Sequence, residues 1–175
     1  SLPDTADELR ALAKTLDAEE SALIMGSKAT EAWVKQAPLS DFRVITFATH
    51  GLIAGDIKGV VEPALVLTPP AKGSEQDDGL LTASEVAQLK LDADWVILSA
   101  CNTAAADGSP GGGMSGLAQA FFYAGSRTLL VSHWPVASSA AVKLTTGMLA
   151  ETKKPGVTRA EAHRRAMMAM MAEDS

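Results

Sequence analysis

Asp94-Trp95-Val96-Ile97-Leu98-Ser99-Ala100-Cys101-Asn102-Thr103 carries four apolar residues on consecutive positions, Trp95 to Leu98. Consecutive rather than alternating apolar residues describe a strand covered on both faces, as in the middle of a parallel sheet. Cys101 falls at the carboxyl end of that strand and is the only cysteine in the chain. Ligands and chemistry gather beyond the carboxyl ends of strands in open α/β sheets, so a thiol there stands in a place suited to reaction. Upstream, Phe42–Thr49 has the same anatomy and runs into His50-Gly51. If the two strands are parallel neighbours about 4.8 Å apart, the residues beyond both carboxyl ends share one rim. An imidazole on that rim can take the thiol proton, or lower the thiol pKa from its free value of about 8.5, and so produce the thiolate that nucleophilic cysteine chemistry needs.

The rest of the chain supplies helices and further strands around this pair. Thr5-x-x-Glu8 is a capping box followed by Leu9, Leu12, Ala13 and Leu16 on one helical face, which predicts a helix from about Thr5 to Glu19. Ala22–Met25 reads as a short strand, and Ser27 or Thr30 opens a helix that Pro38 stops near Ala37. Gly51 to Glu62 reads as a loop over the carboxyl edge, Ala64–Leu67 as a strand, and Thr82-x-x-Glu85 as a second capping box. Beyond the glycine-rich segment ending at Gly113, the pattern predicts a helix from Met114 to Ala124, a strand over Arg127–Val131 and a helix over Ser138–Glu151. Thr158-x-x-Glu161 then opens a last helix with Ala162, Ala166, Met167 and Met170 on its apolar face. Strands alternating with helices at these lengths predict an α/β fold, a three-layer sandwich with a mainly parallel sheet.

Composition narrows the function. A chain of 175 residues with 47% hydrophobic content is long enough and apolar enough for a sizeable core. A net charge of −6 without a lysine and arginine run offers no electrostatic footprint for nucleic acid or for an anionic membrane surface. One cysteine excludes a disulfide framework and fits a reducing compartment, so the expected location is cytoplasmic. The first residues, Ser1-Leu2-Pro3, read as the start of an excised piece of a longer protein.

Spacing removes several uses of the thiol. A thioredoxin-like site needs a second cysteine, and a cysteine phosphatase needs an arginine where the chain has Asp107. His50, Cys101, His133 and His163 share no zinc-ligand spacing, so no metal is expected. The glycine run before Met114 lacks the following lysine of a phosphate loop. Acyl transfer by a Cys–His pair remains, against the plainer reading of Cys101 as a small core residue. It calls for no cofactor. His50-Gly51 adds an unhindered backbone N–H beside the base, which with that of Cys101 suits the oxyanion of a tetrahedral intermediate. Asp77 and Asp78 read as solvated turn acids ahead of a capped helix. Asp56, Asp77 and Asp78 are the loop carboxylates that a search for a partner orienting His50 would consider first.

Four motifs in order, Ile45-Thr46-Phe47-Ala48-Thr49-His50-Gly51, Asp78-Gly79-Leu80-Leu81-Thr82-Ala83-Ser84-Glu85-Val86, Val96-Ile97-Leu98-Ser99-Ala100-Cys101-Asn102-Thr103 and Val131-Ser132-His133-Trp134-Pro135-Val136, together resemble the CHAT domain. This is a caspase-like cysteine peptidase domain related to separases and commonly found after tetratricopeptide repeats in bacterial proteins. The resemblance spans nearly the whole chain. It implies a caspase-like fold and cleavage of a peptide bond in a protein substrate, with activation through attached repeats or a bound partner. Cys101 is then the nucleophile, His50 the general base and later the acid for the leaving amine, and the N–H groups of Gly51 and Cys101 the oxyanion hole. Ser132, His133 and Trp134 would wall the pocket for the side chain before the cleaved bond. By the same likeness the chain is one domain over residues 1–175 that lacks a first strand before Leu2-Pro3 and a last strand after the final helix. The competing expectation is a non-catalytic interaction module that keeps the fold and uses the rim for binding.

Overall fold

The computed structural model describes residues 3–57, 59–74, 77–99, 116–131 and 138–173. In chain order the elements are α1 (Pro3–Leu16), α2 (Glu31–Gln36), β1 (Val44–Phe47), β2 (Gly51–Leu52), β3 (Ala64–Val66), β4 (Leu80–Thr82), α3 (Ala83–Val86), β5 (Trp95–Leu98), α4 (Gly116–Tyr123), β6 (Leu129–Val131), α5 (Ser138–Thr152) and α6 (Arg159–Glu173). They pack as two compact units, residues 25–135 on one hand and residues 1–24 with 136–175 on the other. Among the described residues no helix is long and apolar enough to cross a membrane.

The sheet unit is mixed α/β. β1, β5 and β6 form a three-stranded parallel sheet in the order β1-β5-β6. Its centre is β5, the run of consecutive apolar residues, and all four of its residues are buried. The flanking β1 and β6 are only half-buried over most of their length, as edge strands are. Phe47 at the end of β1 packs on Phe121 of α4 with ring centroids 5.6 Å apart, at the heart of a core that includes Leu65, Leu81, Val86, Val96, Leu98 and Leu117.

β2, β3 and β4 make a second sheet of three strands, wholly antiparallel. The sequence pattern predicts one mainly parallel sheet with Gly51–Glu62 as loop. Instead the chain leaves the parallel sheet after Phe47 and re-pairs immediately with β3. A two-residue strand is too short to show a period of two, so β2 left no pattern to read. β1 is correspondingly shorter than Phe42–Thr49. At its start a 3-10 turn over Leu39–Asp41 extends to Phe42, whose N–H bonds the Leu39 carbonyl. At its end the backbone is taken by β3.

The strand expected at Ala22–Met25 is absent. Glu20–Ala22 and Gly26–Lys28 are 3-10 turns, and Leu23 and Met25 are extended without a strand partner. This short apolar run spans the passage from one unit to the other, where no sheet edge among the described residues meets it.

In the helical unit α1 packs on α5 and α5 on α6, burying Leu12, Met148, Leu149, Ala162 and Ala166. α1 stops three residues before the expected Glu19, in a Schellman turn: Asp17 takes φ 56°, and the Ala18 N–H bonds the Ala13 carbonyl at 2.9 Å. On α6, Ala162 and Ala166 are buried as the spacing predicts, whereas Met167 is 42% exposed.

Candidate active site

The parallel pairing of the histidine strand with the cysteine strand is present. β1 and β5 are neighbours with Val44 opposite Trp95 and Phe47 opposite Leu98, and β6 continues the register with Val131 opposite Leu98. The Ser99 N–H donates to the Phe47 carbonyl at 2.9 Å, one further rung. Three strands thus end side by side at Phe47, Leu98 and Val131. His50 follows the first of these ends by three residues in sequence, Cys101 the second by three, and Ser132, His133 and Trp134 follow the third. Cys101 and Ser132–Trp134 lie outside the described residues.

His50 is exposed, on a backbone held from the antiparallel side. Its carbonyl accepts from the Val66 N–H at 2.9 Å, and the Thr49 hydroxyl donates to the Val66 carbonyl. This bond makes His50 and Val66 the hydrogen-bonded pair and Gly51 and Leu65 the intervening pair. The Gly51 N–H therefore points away from β3, at the outer edge of the sheet. Asp56, Asp77 and Asp78 are the loop carboxylates that could orient the ring. Asp56 accepts from the Ile53 N–H at 3.0 Å and Asp78 from the Leu80 N–H at 2.8 Å, each closing its own turn. Asp77 Oδ1 is buried without a hydrogen-bond partner among the described residues. Among those residues no carboxylate hydrogen-bonds the His50 ring.

A charged cluster that sequence reading did not single out lies on the other side of β3. Glu31, in the first turn of α2, is 1% exposed. Its Oε1 accepts from Lys35 Nζ at 2.5 Å, and its Oε2 accepts from the N–H groups of Asp78 and Gly79, each at 2.9 Å. Lys35 also donates to Glu85 Oε1 at 2.7 Å, and Glu85 Oε2 accepts from the Thr82 N–H at 2.9 Å in the α3 capping box. Burial works against the Glu85 charge, yet the Lys35 ammonium and the Thr82 donors hold its carboxyl below the usual glutamate range. Burial likewise opposes the Lys35 charge, and its two carboxylate partners raise it above the ordinary lysine value. The available signal is slight: Glu31 and Lys35 stand at the i,i+4 spacing, which is equally that of an ordinary surface pair.

The Asp78–Gly79 turn, which leads into β4, is held by Glu31 of α2 and by Leu67 just beyond β3. The Leu67 N–H donates to the Gly79 carbonyl at 2.8 Å, and the Thr68 N–H donates to the Ala29 carbonyl at 2.9 Å. Gly79 has φ 87°, and a Cβ there would lie 2.8 Å from Pro69 Cα, so both the conformation and the space require glycine.

Three parallel strand ends thus lie in register, and His50 follows the first of them in sequence on a backbone paired with β3. The curated proteins contain no match to this chain. A family model, described as the CHAT domain, matches residues 1–175. The chain therefore belongs to the CHAT domain family, a caspase-like family related to peptidases.

Proposed function

We propose that this domain is a cysteine endopeptidase that cleaves a protein substrate with Cys101 as nucleophile and His50 as its base, on the three-layer frame of a caspase-like fold. The observation carrying this reading is the register of β1 against β5. Phe47 stands opposite Leu98, and the imidazole and the thiol follow those two residues by the same count.

In the proposed reaction His50 takes the proton from the Cys101 thiol and the thiolate attacks the scissile carbonyl carbon. The carbonyl π electrons move to oxygen, and the Gly51 and Cys101 N–H groups donate hydrogen bonds to the oxyanion; a donor of this kind lowers the barrier by about 3 kcal/mol. The outward direction of the Gly51 N–H supports its part in this. The imidazolium then returns the proton to the leaving amine as the C–N bond breaks, leaving a thioester on Cys101. Water, deprotonated by His50, attacks the thioester, and the acid product and the free thiol are released. Ser132, His133 and Trp134, following β6, wall the pocket for the substrate side chain before the cleaved bond. Attached tetratricopeptide repeats or a bound partner switch the site on, and the domain works in the cytoplasm.

The test is the rate of iodoacetamide alkylation at Cys101 from pH 5 to 9, for the wild type and for His50→Ala. An assembled dyad gives a thiolate titrating well below the free value of about 8.5, and the shift disappears in the variant. A thiol that titrates at about 8.5 in both proteins sinks the reading and leaves a binding module on the same fold.

A further inference from the structure

We propose that Glu31 is a positioning residue for His50, a buried carboxylate that sets the histidine turn through the Asp78–Gly79 turn and β3. This inference rests on the dyad reading above and adds to it the group that fixes the base.

A carboxylate at 1% exposure is costly to bury and persists where its oxygens are fully engaged. Those of Glu31 are engaged by one side-chain cation and by two consecutive backbone N–H groups, so the carboxylate is the acceptor that the Asp78–Gly79 turn folds around. From that turn the path to the histidine is short. Leu67 hangs on the Gly79 carbonyl, Leu80 pairs with Val66, and the Val66 N–H holds the His50 carbonyl while its own carbonyl takes the Thr49 hydroxyl. The segment before Glu31 is tied to the same strand end, because Thr68 donates its N–H to Ala29 and its hydroxyl to the Gly26 carbonyl at 2.8 Å. β3 is thus gripped at its carboxyl end by the residues around Glu31 and carries His50 on its other edge. An apolar residue at position 31 would fill the space and leave the Asp78 and Gly79 N–H groups without this acceptor.

Two readouts on Glu31→Gln test this. The first is amide hydrogen exchange. The Asp78, Gly79 and Val66 amides should exchange about tenfold faster than in the wild type, while Val96, bonded to the Thr128 carbonyl in the parallel sheet, stays within about twofold. The second is the alkylation profile of Cys101, which should move toward that of His50→Ala. A rise at Val96 equal to that at Val66 would make the effect general loosening and overturn the proposal. So would an unchanged alkylation profile in Glu31→Gln where His50→Ala changes it. If wild type and His50→Ala share one profile, the dyad reading fails, and the exchange pattern alone decides whether Glu31 sets the histidine turn. Should Glu31→Gln not fold, Lys35→Gln keeps the buried carboxylate and a donor beside it, on a side chain 26% exposed. The same amides should then respond in the same order with smaller factors, and a uniform response would again overturn the proposal.

Discussion

Gly125 closes α4 with φ 110°, and a Cβ on it would lie 2.3 Å from the Leu91 carbonyl oxygen. The turn comes that close because the Leu91 N–H donates to the Ala124 carbonyl at 2.8 Å, which brings the approach to β5 against the end of the helix. Gly125→Ala should therefore cost at least about 1–3 kcal/mol from the backbone conformation alone, with more from the displaced Leu91, read as a lower urea midpoint. A midpoint unchanged from wild type would mean the turn has another conformation open to it. Residues of this kind are only half legible in a sequence. Gly125 follows a predicted helix, so its role as a terminator could be anticipated, but the facing carbonyl comes from Leu91, far along the chain. Glu31 is the stronger case. Its spacing to Lys35 is that of an ordinary surface pair, and only the arrival of Asp78 and Gly79 makes it buried and structural.

Short elements here are fixed by particular hydrogen bonds more than by length. α3 has four residues, too few to be stable alone, and begins with Thr82, whose N–H and hydroxyl both reach the Glu85 carboxylate at 2.9 and 2.8 Å. Thr82→Ala should destabilise the domain by about 1 kcal/mol, the usual worth of such a cap, measured by denaturant unfolding. No loss would mean that the burial of Val86 and the Ala83 bond to the Pro63 carbonyl suffice for α3. The capping box was readable because its two members lie three residues apart. The same spacing marks α6, where Thr158 accepts from the Glu161 N–H, while α2 opens on Thr30, one of its two candidates, which accepts from the Trp33 N–H at 3.2 Å. β5 was readable from its unbroken apolar run. β2 was not, since its pairing with β3 depends on chain brought back by the loop from Ile53 to Pro63. At the amino ends of the parallel strands, Arg43 and Arg127 share Asp92 and Asp94. The lattice joins the residues that lead into β1, β5 and β6, and none of its partners is predictable from local spacing.

Acid should weaken both units in the same direction. Glu85 and Asp92 in the sheet unit and Glu151 and Glu161 in the helical unit all have carboxyls held below their ordinary values. Glu161 goes furthest: the guanidinium groups of Arg164 and Arg165 bring it from 4.5 to about 2. A group whose folded pKa is depressed leaves the folded chain with fewer protons than the unfolded one in that window. Its stabilisation is present above the unfolded value and is lost as pH falls through the folded one. The melting temperature should accordingly hold steady from about pH 7 to 5.5 and decline below about pH 4.5, with a shallower decline in Glu161→Gln. A variant as acid-sensitive as the wild type would remove Glu161 from this account. For the whole molecule, the parallel pairing of β1 with β5 could be anticipated from two apolar runs and the residues beyond their ends, whereas the strand order and the register come from the structure. The second sheet could not be anticipated, because the exchange of partners between Phe47 and His50 has no signature in residue type. That exchange fixes how much freedom the imidazole retains. Phe47 is tied to Ser99 and His50 to Val66, with Ala48 and Thr49 between, so the main chain has no slack to search with. The ring keeps only the torsions χ1 and χ2, and a ligand that engages it selects among a few rotamers of a preorganised anchor rather than ordering a loop.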